Sequence, residues 1–73
     1  MDYVDRLTAL REDRDIKQHE IANLLHCTQP AISKFEKRKI NYTIEDLIRL
    51  CEFYQVSADY VLGLPRGLPY PER

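Results

Sequence analysis

The 73 residues allow one small domain, which buries roughly 60% of its unfolded surface on folding. The chain is 44% hydrophobic and 32% charged, ordinary for a globular protein, and no apolar run approaches membrane-spanning length. A net charge of −1 gives no bulk attraction to nucleic acid, so such a function must rest on where the positive charges sit.

The opening Met1-Asp2-Tyr3-Val4-Asp5 is acidic where a targeting segment would be basic. Two cysteines, Cys27 and Cys51, make no disulfide framework. A reduced, cytoplasmic setting is expected.

Helix 1 is predicted from about Tyr3 to Arg14. Asp2 caps it, with Asp5 in the capping-box position. Val4, Leu7 and Leu10 mark the inward stripe, and Arg11 lies at its edge. Asp15 ends the helix, because Asp tolerates the left-handed backbone of a tight turn. Ile16 packs before helix 2. Lys17 stands at the N-cap of helix 2 and cannot accept from backbone N–H, so Gln18 is expected to offer its side-chain oxygen. Helix 2 runs to about Leu25, with Ile21, Ala22 and Leu25 on one face.

His26 occupies a turn where glycine would be easiest. Thr28 caps helix 3, and Pro30 falls in its first turn, where the missing N–H costs little. Helix 3 extends to about Lys37. Ile32 and Phe35 hold it from beneath, which turns Gln29, Pro30, Ser33 and Lys34 outward. Two short helices joined by a turn of three or four residues form a helix-turn-helix. The outward face of the second suits base edges in a major groove.

A loop follows from Arg38 to Tyr42. Thr43 caps helix 4, with Asp46 three residues on. Ile44, Leu47, Ile48, Cys51 and Tyr54 are predicted as its core face, widened by Leu50. Gln55 closes it. Ser57 caps a short fifth helix, with Asp59 favoured by the helix dipole. Tyr60, Val61 and Leu62 are expected to cover the end of the core, and Gly63 terminates the helix. The organisation is a domain over 1–64 and an extended Pro-rich tail over 65–73. The tail is either a frayed end or an arm whose Leu68 and Tyr70 pack on a second subunit. No strand-like alternation occurs, so the fold class is all-α, with five helices.

Lys34, Lys37, Arg38 and Lys39 form a basic cluster at the end of helix 3, interrupted by Glu36. With Thr28, Asn41 and Tyr42 they are candidate phosphate contacts. After Tyr42, Glu45, Asp46, Glu52 and Asp59 face only Arg49 before the tail, so the charge is polarised. Arg11 shares a face with Leu7, and Glu36 shares one with Ile32. A charge at the edge of a core needs a partner, and these two satisfy each other if paired.

Leu7, Leu10-Arg11, Ile16, Gln18, Glu20-Ile21-Ala22, Leu25, Thr28, Ile32, Phe35-Glu36, Leu47, Leu50 and Val56-Ser57-Ala58-Asp59-Tyr60-Val61-Leu62 form one gapped pattern. In it the chain resembles the lambda-repressor-like family, the Cro and phage-repressor type of helix-turn-helix domain. Lys17 departs from the family's small capping residue, and His26 from its turn glycine. The resemblance implies five helices, the third in the major groove, and a homodimer on a near-palindromic operator in double-stranded DNA. It implies that Gln18 contacts a phosphate and braces the first base reader, Gln29, whose amide can pair with adenine N6 and N7. Pro30 falls on a second reading position but offers only a ring to a thymine methyl. Lys34 falls on a third, within reach of guanine or phosphate, and Ser33 could bond either. The resemblance also implies the Arg11–Glu36 pair.

His19, His26 and Cys27 match no common zinc spacing, so no metal is expected. Ser33 and Ser57 have no base nearby in sequence, and Gly63 and Gly67 make no phosphate-cradling loop. No catalysis, cofactor or small-molecule substrate is expected, nor a second, ligand-sensing domain. The function expected is a sequence-specific DNA-binding regulator, a repressor, from a bacterium or phage. The alternatives are an antitoxin or restriction-modification controller on the same fold, or a protein-interaction module that has lost DNA binding.

Overall fold

The computed structural model describes residues 1–72. Helices α1 (Tyr3–Asp13), α2 (Gln18–Leu25), α3 (Gln29–Glu36), α4 (Ile44–Tyr54) and α5 (Ala58–Leu62) follow one another, and the described residues contain no strand. None of these helices is long and apolar enough to cross a membrane.

Local chemistry starts each helix. Asp2 and Asp5 cap α1 reciprocally, at 3.0 and 3.3 Å, and Thr43 and Asp46 do the same for α4. The Thr28 hydroxyl accepts from the Ala31 amide and caps α3. At α2 the expectation for Gln18 fails. Its oxygen faces α3, and the Glu20 carboxylate instead accepts from the Lys17 amide at 2.7 Å.

All five helices end in a left-handed residue: Asp15, His26, Arg38, Gln55 and Gly63, with φ of 55, 57, 62, 57 and 73°. The amide after each reaches back to a carbonyl five residues earlier, as in Cys27 to Ala22 and Lys39 to Lys34. Those bonds satisfy carbonyls that a helix end otherwise orphans. Only the last of these positions uses glycine, so four carry a β-carbon into the crowded left-handed region.

The core joins Leu7 of α1, Ile21, Ala22 and Leu25 of α2, Ile32 and Phe35 of α3, Leu50 and Tyr54 of α4, and Val61 of α5. Ala22 is buried in the helix-turn-helix, where a small side chain lets α2 and α3 approach. Arg14 ties the end of α1 to the end of α4. Its guanidinium donates to the Tyr54 carbonyl at 2.8 Å and sits over the Tyr54 ring at 5.3 Å. Burial pushes the Tyr54 hydroxyl up to about 12.

Helix α4 departs from the expected face. Leu50 and Tyr54 are buried and Leu47 and Cys51 half-buried, whereas Ile44 and Ile48 lie open to solvent. Two overlapping sets fit the same periodicity, 44/47/48/51 and 47/50/51/54, and the core takes the second. The first is thereby left half outside. At α5 only Val61 is buried; Tyr60 and Leu62 are exposed. Residues 65–72 of the tail are exposed and turn at Arg66–Gly67, with Gly67 at φ 81°, so the tail is not extended throughout, and position 73 lies outside the described residues.

Candidate nucleic-acid interface

Burial of Ile32 and Phe35 fixes the rotation of α3 about its axis. Gln29, Pro30 and Lys34 stand exposed on the opposite side, and Ser33 is half-buried at its margin. Thr28 is exposed at the helix start, its oxygen engaged by the Ala31 amide and its hydroxyl hydrogen available to donate.

Behind this face runs a directed chain of hydrogen bonds. Arg11 donates from Nε to Glu36 Oε2 at 2.7 Å and from Nη2 to Oε1 at 3.1 Å. Its third nitrogen donates to the Ile16 carbonyl at 2.9 Å. Gln18 Nε2 donates to the same Glu36 Oε1 at 2.9 Å, and Gln29 Nε2 donates to Gln18 Oε1 at 3.3 Å. The Arg11 and Glu36 side chains are only 14% and 12% exposed, so water competes weakly for this pair. The hydrogen bonds to Glu36 raise the Arg11 pKa further.

The chain has a polarity. The Glu36 carboxylate only accepts, so Gln18 must turn its nitrogen inward and its oxygen toward α3. Gln29 must then give a nitrogen to that oxygen. Its own carbonyl oxygen and second N–H remain free, which is the pair of functions an adenine edge requires. Helices α1, α2 and α3 thus converge on one carboxylate, which sets the amide presented at the surface.

The basic cluster is divided. Lys34, Lys37 and Lys39 are exposed, and among the described residues none of them pairs with a carboxylate. Arg38, by sequence a candidate phosphate contact, is engaged within the chain. It grips Asp2 through Nε–Oδ2 at 3.1 Å and Nη2–Oδ1 at 2.9 Å, and Asp5 through Nη2–Oδ1 at 2.7 Å. Hydrogen bonding to Arg38 holds the Asp2 carboxyl down at about 2, and Asp5 is lowered for the same reason. Spacing carried no signal for this clamp, since 36 and 33 residues separate the partners.

Asn41 remains exposed in the loop. Tyr42, by sequence a candidate phosphate contact, is half-buried in the same loop. Its ring stacks on Phe35 at 4.4 Å between centroids, inclined 14°, and meets Tyr3 edge-on at 6.4 Å. Burial raises its hydroxyl pKa, and the ring pins the loop to α3. Cys27 and Cys51 are free and half-buried, and burial pushes both thiols up. The described residues hold no group of three side chains placed to bind a metal.

A family model for a helix-turn-helix domain matches residues 2–62. No curated protein matches the sequence. Among solved structures, the P22 c2 repressor in complex with synthetic operator 9T is 27% identical with a TM-score of 0.73, covering 85% of this chain and 94% of that one. A transcriptional regulator from Listeria innocua is 24% identical with a TM-score of 0.81, covering 96% of this chain and 65% of that one, and shows likeness of fold. The chain belongs to the helix-turn-helix domain family and has the lambda-repressor-like architecture.

Proposed function

We propose that this chain is a sequence-specific DNA-binding transcriptional regulator, a repressor, which acts as a homodimer on a near-palindromic operator. The observation that carries this reading is the outward face of α3, where Gln29 and Lys34 stand over the buried Ile32 and Phe35. The Gln29 amide is already oriented by Gln18 and Glu36. Helix α3 enters the major groove. Gln29 reads adenine, and Lys34 reaches guanine or phosphate. Pro30 touches a thymine methyl, and Ser33 bonds a base or phosphate at the margin.

Phosphates are held by Gln18, Thr28, Lys37, Lys39 and Asn41. Arg38 joins them through its free nitrogen or by leaving Asp2 and Asp5. Similarity to the P22 c2 repressor, solved in complex with synthetic operator 9T, supports DNA as the partner. The role is non-enzymatic and cytoplasmic.

Selection from random double-stranded DNA tests this. The expected product is a pair of inverted half-sites, centres about 34 Å apart, one helical turn. Failure to enrich any sequence would contradict the proposal.

A further inference from the structure

Helix α4 carries more apolar surface than the core covers. Ile44 is 72% exposed and Ile48 53%. With Leu47, Cys51 and Leu62 they line an open groove of about 290 Å³ between α4 and α5. Glu52 stands at its edge, and Glu45, Asp46 and Asp59 leave these two helices net acidic against Arg49. An apolar strip of this kind on an acidic surface calls for an apolar partner with positive charge.

The tail has that character. Leu68 is 53% and Tyr70 97% exposed, so neither finds cover on its own chain. By sequence Arg66 and Arg73 outweigh Glu72, which leaves the tail a net single positive charge, and Pro65, Pro69 and Pro71 stiffen it. Restricting the free tail in this way lowers the entropy lost on docking. The tail also departs from the wrong side of α5 to fill its own groove. Leu64, Arg66 and Gly67 border a separate hollow beside Arg6, whereas Leu62 faces the groove.

We propose that the α4–α5 groove receives the tail of a second copy of this chain, with Leu68 and Tyr70 as anchors and the exchange reciprocal. This rests on the homodimer stated above and names its joint. Pairing two such grooves face to face brings Glu52 and its acidic neighbours toward their own copies, which repel. Inserting the tail, net positive by one, eases that conflict and covers both apolar surfaces. The seven steps from Gly63 to Tyr70 reach at most about 22 Å at about 3.1 Å each, less where the chain turns at Arg66–Gly67. Even shortened by that turn, it spans the roughly 8–10 Å between the axes of packed helices. Ile44 opens α4 directly after the loop bearing Lys37 and Lys39, so the joint lies beside the proposed DNA face and helps set the spacing of the two α3 helices.

Cross-linking tests the exchange in the full chain. In a Cys27→Ser background, Pro71→Cys, which spares both anchors, is oxidised at alkaline pH beside the natural Cys51. The expected product is a disulfide-linked dimer joining positions 71 and 51 of different copies, lost when Cys51→Ser is added. A link within one chain, or none under conditions where the protein sediments as a dimer, would overturn the exchange. In sedimentation equilibrium without cross-linking, Ile48→Glu and Tyr70→Glu should each raise the dimer dissociation constant roughly 10–30-fold, as loss of an interface anchor does. Both positions are exposed, so unchanged helical circular dichroism is expected. A dimer dissociation constant unchanged by Tyr70→Glu would refute the tail exchange while leaving the homodimer standing. An unaltered chain that stays monomeric on its operator would remove both.

Discussion

Arg38 shows how one side chain can belong to two surfaces. It lies in sequence among the lysines that follow α3, yet its guanidinium is held by Asp2 and Asp5. Those carboxylates are exposed, so the clamp is screened by salt and modest in energy. Its pH dependence is nevertheless definite. The Asp2 pKa falls from an ordinary 3.8 to about 2 in the folded chain. A lowered carboxyl pKa stabilises the fold above the unfolded value, and that contribution is lost as pH falls from 3.8 toward 2. Thermal melts of the native chain and of Arg38→Met should therefore differ above about pH 5 and converge toward pH 2. A constant offset through that range would mean that the pair is not formed in solution.

At the scale of elements, the turns and the helix packing make separate predictions. His26 joins the two helices of the motif at φ 57°, exposed and with a β-carbon. His26→Gly should raise unfolding free energy by about 1 kcal/mol in urea titration, because the left-handed cost disappears. Arg11 instead locks α1 to α3 through Glu36. Arg11→Met leaves that carboxylate shielded and underpaired, so a loss of about 1.5–3 kcal/mol is expected, together with weaker DNA binding. A variant as stable as the native chain, with equal affinity, would show the pair to be idle.

Much at this scale was legible beforehand. Caps such as Asp2, Thr28 and Thr43 act over three residues, and the burial of Ile32 and Phe35 follows from helical spacing. The face of α4 was not legible, because its apolar arc fits two registers and only the position of its neighbours chooses between them. The Arg38 clamp was hidden for a related reason: local spacing says nothing about carboxylates at the far end of the chain. Arg11 and Glu36 were accessible because each interrupts a core-facing stripe.

For the whole molecule, distribution matters more than total charge. The chain sums to −1, yet Lys34, Lys37 and Lys39 project around the end of α3 while α4 and α5 are acidic. A phosphate backbone meets the first surface and is repelled by the second, which orients the domain as it approaches. Affinity should fall steeply as salt rises. Lys37→Gln should weaken binding to all sequences alike and reduce the slope of log affinity against log salt by about one per site. A preference for particular bases that changed with Lys37→Gln would move that residue from phosphate contact to readout.

Base readout in this proposal depends on the amide of Gln29, held by Gln18 and Glu36 at the surface of α3. Its most direct measurement is the affinity of Gln29→Ala for the selected operator and for that operator with each base pair replaced in turn. A loss of about 1–3 kcal/mol, with discrimination relaxed at one position in each half-site and retained elsewhere, is the predicted result. An unchanged affinity and an unchanged base preference at every position would contradict it.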